Sequence, residues 1–242
     1  MNLIIDIGNT QTKYAIFEGK NMLEFCESHI SDMDLILLWQ KKYPGLDALI
    51  VSSVQGRPDV FLKSLESLFD SVIFFDQNTP TPLENLYETK ETLGYDRLAA
   101  CVGANTLHPN VNLLVIDAGT AITFDFVNAK NQYLGGTISP GLAMRFKALN
   151  TFTKKLPLLE KSETHALIGK NTSQAIISGV QNSLLFEIDS YIDKLTESHS
   201  GAKIFLTGGD SEFIHPKLKN ETFCVRTLLL GGLNAILNYN KS

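Results

Sequence analysis

The chain contains 242 residues, of which 44% are hydrophobic and 19% charged, so it is long enough for two modest globular domains and too apolar for a disordered chain. The formal net charge is -5 and no run of Lys or Arg occurs, which excludes a basic surface for nucleic acid or an anionic membrane. Three widely separated cysteines, Cys26, Cys101 and Cys224, argue against a disulfide framework or a zinc site.

The same features indicate a cytoplasmic location. The cysteines are typical of buried thiols in a reducing compartment, and the N-terminus leads into a predicted strand without a basic or long apolar leader. No apolar run reaches the roughly 18 residues that a membrane helix needs. We therefore expect a cytoplasmic protein that binds neither membrane nor nucleic acid.

The first predicted element is a β-hairpin with a polar turn. Ile4 and Ile5 are β-branched and indicate a buried strand, and the alternation of residues 14–17 indicates its partner. The stretch between them, DIGNTQTK at residues 6–13, contains Gly, Asn and Asp, which are also common in plain hairpin turns. Taken alone, this stretch is ambiguous between turn chemistry and a binding loop.

The next elements complete a β-β-β-α-β-α-β order. Four of them follow the hairpin region: a helix from Asp32, a strand at 46–54, a helix at 60–68 and a strand at 71–75. Residues 76–93 are polar and predict a loop that leaves the sheet, and residues 96–108 predict a helix with a small apolar face.

The hairpin recurs in the middle of the chain, at residues 113–127 with the sequence LLVIDAGTAITFDFV. Three positions match between the copies: Asp6 with Asp117, Gly8 with Gly119, and Thr12 with Thr123. A plain turn needs no aspartate two residues before its glycine in both copies, whereas paired loops with backbone N–H groups and a carboxylate suit a polyphosphate and its metal ion. We therefore predict two domains, residues 1–112 and 113–242.

The second half also contains a long predicted helix. The elements after the second hairpin are a strand at 132–140, a helix at 172–195, a strand within 203–210 that ends in a Gly-Gly turn, and a helix at 228–237. Apolar residues of the long helix recur about every four positions, at Ile176, Val180, Leu184, Ile188, Ile192 and Leu195. A second apolar row comprises Ile177, Leu185 and Tyr191. Either core packing or a subunit interface explains so wide a surface.

The candidate phosphate loops are neither a P-loop nor a dinucleotide fingerprint, since no G-x-x-x-x-G-K-[ST] run occurs and no G-x-G-x-x-G follows a strand. The paired hairpins resemble the actin, hexokinase and acetate kinase superfamily, which implies an α/β fold of duplicated actin-like, ribonuclease H-like β-β-β-α-β-α domains with a central ATP cleft. Within it, the chain is similar to type III pantothenate kinases in five motifs: DIGNTQTK at 6–13, GYDR at 94–97, DAGTAIT at 117–123, GGTISPG at 135–141 and TGGD at 207–210.

This resemblance implies transfer of the γ-phosphoryl group of ATP to the hydroxyl of pantothenate, the first step of coenzyme A synthesis. Such a transfer requires positioning and charge neutralisation around the phosphates. The ATP-contacting residues implied by the resemblance are Asp6, Ile7, Gly8, Asn9, Thr10, Gln11, Thr12, Lys13 and Thr120. Asp6 would also bind Mg²⁺, directly or through water. For Lys13, an ordinary solvated strand residue is the alternative.

For the acceptor, the resemblance implies contacts from Tyr87, Gly94, Tyr95, Asp96, Arg97 and Thr172. Asp96 would be the general base that accepts the hydroxyl proton, and Arg97 would keep it ionised. Helix capping is the alternative role for both Asp96 and Thr172.

Asp117 matches a family ligand for a monovalent cation, K⁺ or NH4⁺, although one carboxylate alone does not select K⁺ over Mg²⁺. We also expect a homodimer, because the apolar surface of the 172–195 helix is wider than one small domain can cover. Two rival functions remain open: a polyphosphate phosphatase of the same superfamily, in which water replaces the acceptor, and a nonenzymatic nucleotide-bound accessory factor. Asp96 argues against the second rival, because a protein that only binds nucleotide needs no base.

Overall fold

The structure is a computed structural model that describes residues 1–28 and 32–241. The chain forms two compact units, which comprise Met1–Pro109 with Asn131–Tyr133 and Thr227–Ser242, and Asn110–Lys130 with Leu134–Arg226. The first change of unit lies close to the predicted boundary at residue 112. The residues from Thr227 onward, however, belong to the first unit, whereas the prediction assigns them to the second domain.

The first unit contains a five-stranded sheet in the order β3-β2-β1-β4-β5. Its elements are β1 (Asn2–Ile7), β2 (Thr12–Glu18), β3 (Asn21–Ser28), α1 (Met33–Lys42), β4 (Ala48–Ser53), α2 (Asp59–Glu66) and β5 (Ser71–Phe74), which confirms the predicted order. Strand β1 is antiparallel to β2 and parallel to β4, so the carboxyl ends of β1 and β4 lie side by side. All residues of these two strands are buried, as expected at the centre of a covered sheet.

The polar segment after β5 leaves this sheet, as predicted, and leads to helix α3 (Tyr95–Leu107). It contains a two-residue strand, β6 (Glu84–Asn85), and a 3-10 turn at Lys90–Thr92. Strand β6 pairs in parallel with Gln132 and Tyr133, which belong to the same unit. This pairing fixes the segment that carries Tyr87.

The second unit repeats the strand arrangement of the first. Its elements are β7 (Leu113–Ala118), β8 (Ala121–Val127), β9 (Gln132–Pro140) from Leu134 onward, α4 (Leu142–Phe152), α5 (Thr172–Ser198), β10 (Lys203–Thr207), α6 (Ser211–Ile214) and β11 (Phe223–Cys224). The strands lie in the order β11-β10-β7-β8-β9, so the first strand of each unit is flanked by the second and the fourth. This shared order confirms the duplication that the repeated hairpin predicts.

Helix α5 supplies one side of the second core. Five residues of the predicted stripe, Ile176, Val180, Leu184, Ile188 and Ile192, are buried against the sheet, and Leu195 packs partly buried against the same cluster. Core packing therefore accounts for the stripe. Of the second row, Ile177 and Leu185 also pack against this core, whereas Tyr191 is 40% exposed. No helix within the described ranges, α5 included, is both long and apolar enough to cross a bilayer.

The last helix, α7 (Leu228–Asn240), packs along α3 at van der Waals distance. A Cβ on Gly232 would lie 1.8 Å from the Ala99 carbonyl oxygen, and a Cβ on Gly103 would lie 2.2 Å from the Leu228 carbonyl oxygen. The two helices can approach so closely only because both positions lack a side chain. The C-terminal helix is thus an integral part of the first unit.

Candidate active site

In the first unit, the turn of residues 8–11 connects β1 to β2. The Gly8 N–H donates to the Gln11 carbonyl oxygen over 3.0 Å, so this amide closes the turn. Asn9 and Thr10 lie exposed at the tip, where their polar groups can reach a ligand. The Gly8 N–H is therefore already hydrogen-bonded within the turn.

Residues after β4 support this turn. Gln55 Nε2 donates to the Gly8 carbonyl oxygen over 2.7 Å, and the Val54 N–H donates to the Ile7 carbonyl oxygen over 3.1 Å. The Gln55 N–H donates to Ser53 Oγ over 3.1 Å. None of these residues is among the predicted site residues. Polar side chains at the carboxyl end of a buried parallel strand nevertheless indicate a binding site.

The strand register corrects one equivalence between the two hairpins. Asp6 faces Lys13 across the first hairpin, whereas Asp117 faces Thr123 across the second. Thr12, which the sequence repeat aligns with Thr123, lies one position nearer its turn because the first turn is one residue longer. Lys13 is half-buried beside Asp6, so a lysine is the cross-strand neighbour of the first aspartate only.

Each of these aspartates has a hydroxyl group on a neighbouring strand. Ser52 is the register partner of Asp6 on β4, and Thr123 is that of Asp117 on β8. Both hydroxyl oxygens are buried and have no hydrogen-bond partner within the described ranges. Carboxylate and hydroxyl oxygens are hard ligands, so both positions fit a Mg²⁺ or K⁺ ion.

A cation at either position would need further ligands from outside the chain. The part of the chain that the structure describes contains no group of three His, Cys, Asp or Glu side chains suited to a metal. Mg²⁺ commonly combines one or two carboxylates with phosphate and water oxygens. The donor set therefore fits an ion that arrives with a nucleotide.

In the second unit, the TGGD turn packs against the carboxylate of Asp117. Thr207, at the end of β10, is the register partner of Asp117. A Cβ on Gly208 would lie 2.4 Å from Asp117 Oδ1, and the φ of +92° at this residue also favours glycine. The Asp210 N–H donates to the Ala118 carbonyl oxygen over 3.0 Å. Backbone contacts therefore hold the DAGT and TGGD motifs together.

The glycine that ends the GGTISPG motif packs against the same turn. The Gly141 N–H donates to the Thr120 carbonyl oxygen over 3.1 Å. A Cβ on Gly141 would lie 2.2 Å from the Gly119 carbonyl oxygen and 2.4 Å from that of Thr120. Three separate motifs thus converge on residues 117–120, and the Thr120 side chain is left exposed.

The GYDR motif begins helix α3, but the cap differs from the prediction. Gly94 is the N-cap, and Asp96 is the second helical residue. The Asp96 carboxylate accepts the Arg97 N–H over 2.8 Å. A Cβ on Gly94 would lie 2.5 Å from Asp96 Oδ1, so a side chain at this position would displace the carboxylate. The capping alternative for Asp96 is therefore wrong.

An aromatic ring lies beside Arg97 in the same unit. The Arg97 side chain is 7% exposed, and its guanidinium carbon lies 5.9 Å from the centre of the Tyr87 ring. The Tyr87 ring lies 6.1 Å from that of Tyr133, and the Tyr95 ring lies 5.6 Å from that of Phe75. The structure thus brings Tyr87 and Arg97 together. It adds Tyr133, which the sequence analysis misses because only strand pairing brings it close.

Thr172 belongs to the second unit, where it is the first residue of α5. Asn171 is the N-cap, and its side chain accepts the Gln174 N–H over 2.9 Å, so the predicted capping alternative for Thr172 is wrong. Thr172 instead lines an apolar groove of about 870 Å³ between α4 and α5, which also includes Phe152 and Ile176. The other polar residues of this mostly apolar lining are Arg145, Thr153 and Ser183.

Comparisons with known proteins identify the family of this chain. Residues 2–194 match the family model for type III pantothenate kinase. The type III pantothenate kinase of Bacteroides fragilis is 45% identical over 99% of this chain and 98% of the relative. Among solved structures, a Baf family protein from Campylobacter jejuni gives a TM-score of 0.66 at 22% identity and 98% coverage of both chains. A 2-dehydro-3-deoxygalactonokinase protein from Sinorhizobium meliloti gives 0.58 at 13% identity and 99% coverage of both chains. The structural likenesses support the actin-like fold, and the sequence matches show that the chain belongs to the type III pantothenate kinase family.

Proposed function

We propose that this protein transfers the γ-phosphoryl group of ATP to the hydroxyl of pantothenate and so forms 4'-phosphopantothenate, which is the first step of coenzyme A biosynthesis. The observation that carries the proposal is the identity of 45% to a type III pantothenate kinase over 99% of the chain. The motifs from residue 6 to residue 210 support it, since each lies in a local arrangement suited to binding.

Within the first unit, residues 6–13 contact the phosphates of ATP. The exposed Asn9 and Thr10 supply neutral donors, and Lys13 supplies a positive charge beside Asp6. Asp6, with the neighbouring Ser52 hydroxyl, holds the Mg²⁺ that accompanies the nucleotide. When bound, this ion neutralises charge on the transferred phosphoryl group.

Asp96 acts as the general base for the pantothenate hydroxyl. A carboxylate in the first turn of a helix is favoured in its ionised form by the helix dipole and by the N–H that it accepts. Arg97 adds a neighbouring positive charge, and Tyr87 contacts the acceptor. Gly94 and Tyr95 shape the same end of the helix.

Within the second unit, Thr120 contacts ATP and Asp117 binds a monovalent cation, K⁺ or NH4⁺. The buried Thr123 hydroxyl supports an oxygen-rich cation site at Asp117. Thr172 contacts pantothenate. The apolar groove that it lines supports a homodimer in which a second copy covers α4 and α5. Three free cysteines support a cytoplasmic location.

The test is an acceptor screen with ATP, Mg²⁺ and KCl, in which pantothenate, glucose, acetate and water compete as acceptors. Phosphopantothenate is the expected product. ATP hydrolysis of equal rate without pantothenate would instead identify a phosphatase. Nucleotide binding without turnover of any acceptor would identify an accessory factor, and turnover of glucose or acetate alone would reject the proposal.

A further inference from the structure

Arg145 makes a set of contacts that none of the family motifs predicts. It lies in the first turn of α4, where Arg145 Nε donates to the Pro140 carbonyl oxygen over 2.8 Å. Its Nη2 donates to Ser139 Oγ over 3.0 Å and also forms an ion pair with Glu187 of α5. The side chains of Arg145 and Glu187 are 18% and 21% exposed. The guanidinium therefore joins α5 to the end of β9.

Helix stability does not explain this arrangement. A positive charge in the first turn of a helix opposes the helix dipole, and α4 carries no acidic residue in that turn. A lysine could satisfy Glu187 but could not present two donors in a fixed fork to the chain at residues 139–140. The geometry of the guanidinium is therefore suited to holding a particular backbone conformation.

The residues held by Arg145 lie directly before Gly141. The Gly141 N–H donates to the Thr120 carbonyl oxygen over 3.1 Å, and its Cα leaves no room for a side chain against the Gly119 and Thr120 carbonyl oxygens. A shift at Ser139 or Pro140 would therefore be transmitted to the turn of residues 119–120 through backbone atoms alone.

We infer that Arg145 is a positioning residue, which braces the segment 139–141 against α5 and thereby fixes the turn that carries Thr120 and follows Asp117. The inference rests on the proposed function in assigning ATP and a monovalent cation to this turn. Loss of the brace should weaken the response to ATP and to K⁺.

The test compares Arg145→Met, Arg145→Lys and the double variant Arg145→Met with Glu187→Met. The single variant Arg145→Met leaves the half-buried Glu187 carboxylate unpaired and should lose thermal stability. The double variant removes that charge and should recover the thermal stability. In both, KM for ATP and the K⁺ concentration for half-activation should rise about tenfold, as expected for the loss of a hydrogen bond to a charged group. Arg145→Lys should fall between wild type and Arg145→Met.

The exposed ion pair Lys194–Glu197 on the same helix provides the matched control, as the double variant Lys194→Met with Glu197→Met. It should leave both constants at wild-type values. Wild-type constants for ATP and K⁺ in the Arg145–Glu187 double variant would overturn the inference, as would a rise confined to KM for pantothenate. A wild-type protein that does not phosphorylate pantothenate would overturn the proposed function instead. In that case, titration with ATP in KCl and in NaCl still tests Arg145.

Discussion

The guanidinium carbon of Arg97 lies 5.9 Å from the centre of the Tyr87 ring, and the proposed base, Asp96, directly precedes Arg97 in the sequence. The electron-rich face of an aromatic ring attracts a cation, so the Tyr87 ring helps to hold the Arg97 guanidinium in place. We propose that the buried Arg97 acts on the acceptor site through its position as well as its charge.

Replacing Asp96 with Asn should lower turnover by at least about a hundredfold, because a positioned base contributes about 10²- to 10⁴-fold in rate. The Asn side chain can still accept the Arg97 N–H, so the melting temperature and pantothenate binding should hardly change. Turnover and binding are measured in the same variant. Asp34→Asn, which alters an exposed first-turn carboxylate of α1, is the matched control. Near-normal turnover would remove Asp96 from catalysis, and lost binding would make it a substrate anchor.

Replacing Asp117 with Asn should weaken activation by K⁺ far more than it weakens folding, because the side chain lies half-buried at a strand end beside an exposed turn. The measurement is activity against KCl at constant ionic strength, with NaCl as the comparison salt. Equal activity of the wild type in both salts would show that Asp117 is a magnesium or structural carboxylate.

Adjacent glycines in α7 should respond in opposite directions to alanine. A Cβ on Gly231 meets nothing within 4 Å, so Gly231→Ala should stabilise the helix by about 0.5–1 kcal/mol. A Cβ on Gly232 would lie 1.8 Å from the Ala99 carbonyl oxygen, so Gly232→Ala should destabilise by about 1–3 kcal/mol through overpacking. Denaturant unfolding measures both. Equal effects would contradict the close packing of α3 against α7.

The groove between α4 and α5 should be covered by a second copy of the chain. Phe152, at its wall, is 86% exposed, so Phe152→Asp should convert the dimer to a monomer in sedimentation experiments. Val60 on α2 is 87% exposed but lies outside this groove, and Val60→Asp should leave the dimer intact. A fully active wild-type monomer at micromolar concentration would remove the interface and any role for Thr172 in a shared pocket.

Low pH should weaken the hydrogen bonds that connect Glu24 of β3 to Lys42 and Tyr43 at the end of α1. Lys42 donates a hydrogen bond to the Glu24 carboxylate and Tyr43 donates another, and these lower the pKa of Glu24 below its usual 4.5. A carboxyl group with a lowered pKa stabilises the fold at pH values above its pKa in the unfolded state. This contribution is lost as the pH falls through its pKa in the folded state. The melting temperature of Glu24→Gln should therefore fall less steeply than that of wild type between about pH 6 and pH 3. Glu66→Gln, at an exposed site on α2, should follow wild type.

The sequence predicts elements that depend on local periodicity better than it predicts caps and registers. Strand β9 and the start of α5 agree with the predicted bounds, because alternation and fourfold spacing are local signals. The prediction omits α4, whose buried residues are only Leu142 and Phe146. Asp96 is a favourable capping residue by type, yet the helix begins at Tyr95 with Gly94 as its N-cap, and the Asp96 carboxylate accepts the Arg97 N–H within the first turn.

Long-range features are harder still to predict. The turns of the two hairpins differ by one residue in length. A sequence alignment therefore pairs Thr12 with Thr123, whereas the strand register makes Lys13 the equivalent of Thr123. The contact between Arg145 and Glu187 joins residues 42 positions apart and carries no periodic signal. The last helix belongs to the first unit, where Gly103 and Gly232 allow α3 and α7 to pack closely. The sequence around each glycine does not show which helix it packs against.

The packing of α7 against α3 has a consequence for biosynthesis. Because Thr227–Ser242 belongs to the same unit as Met1–Pro109, the first-made half of the chain cannot complete its core while the ribosome is still translating the second half. Asn2 Nδ2 donates to Asn234 Oδ1 over 2.7 Å, which ties one of the earliest residues to one of the latest. We expect the second unit, whose core lies between residues 110 and 226, to become protease-resistant first on stalled nascent chains, and the N-terminal unit to do so only after α7 has left the exit tunnel.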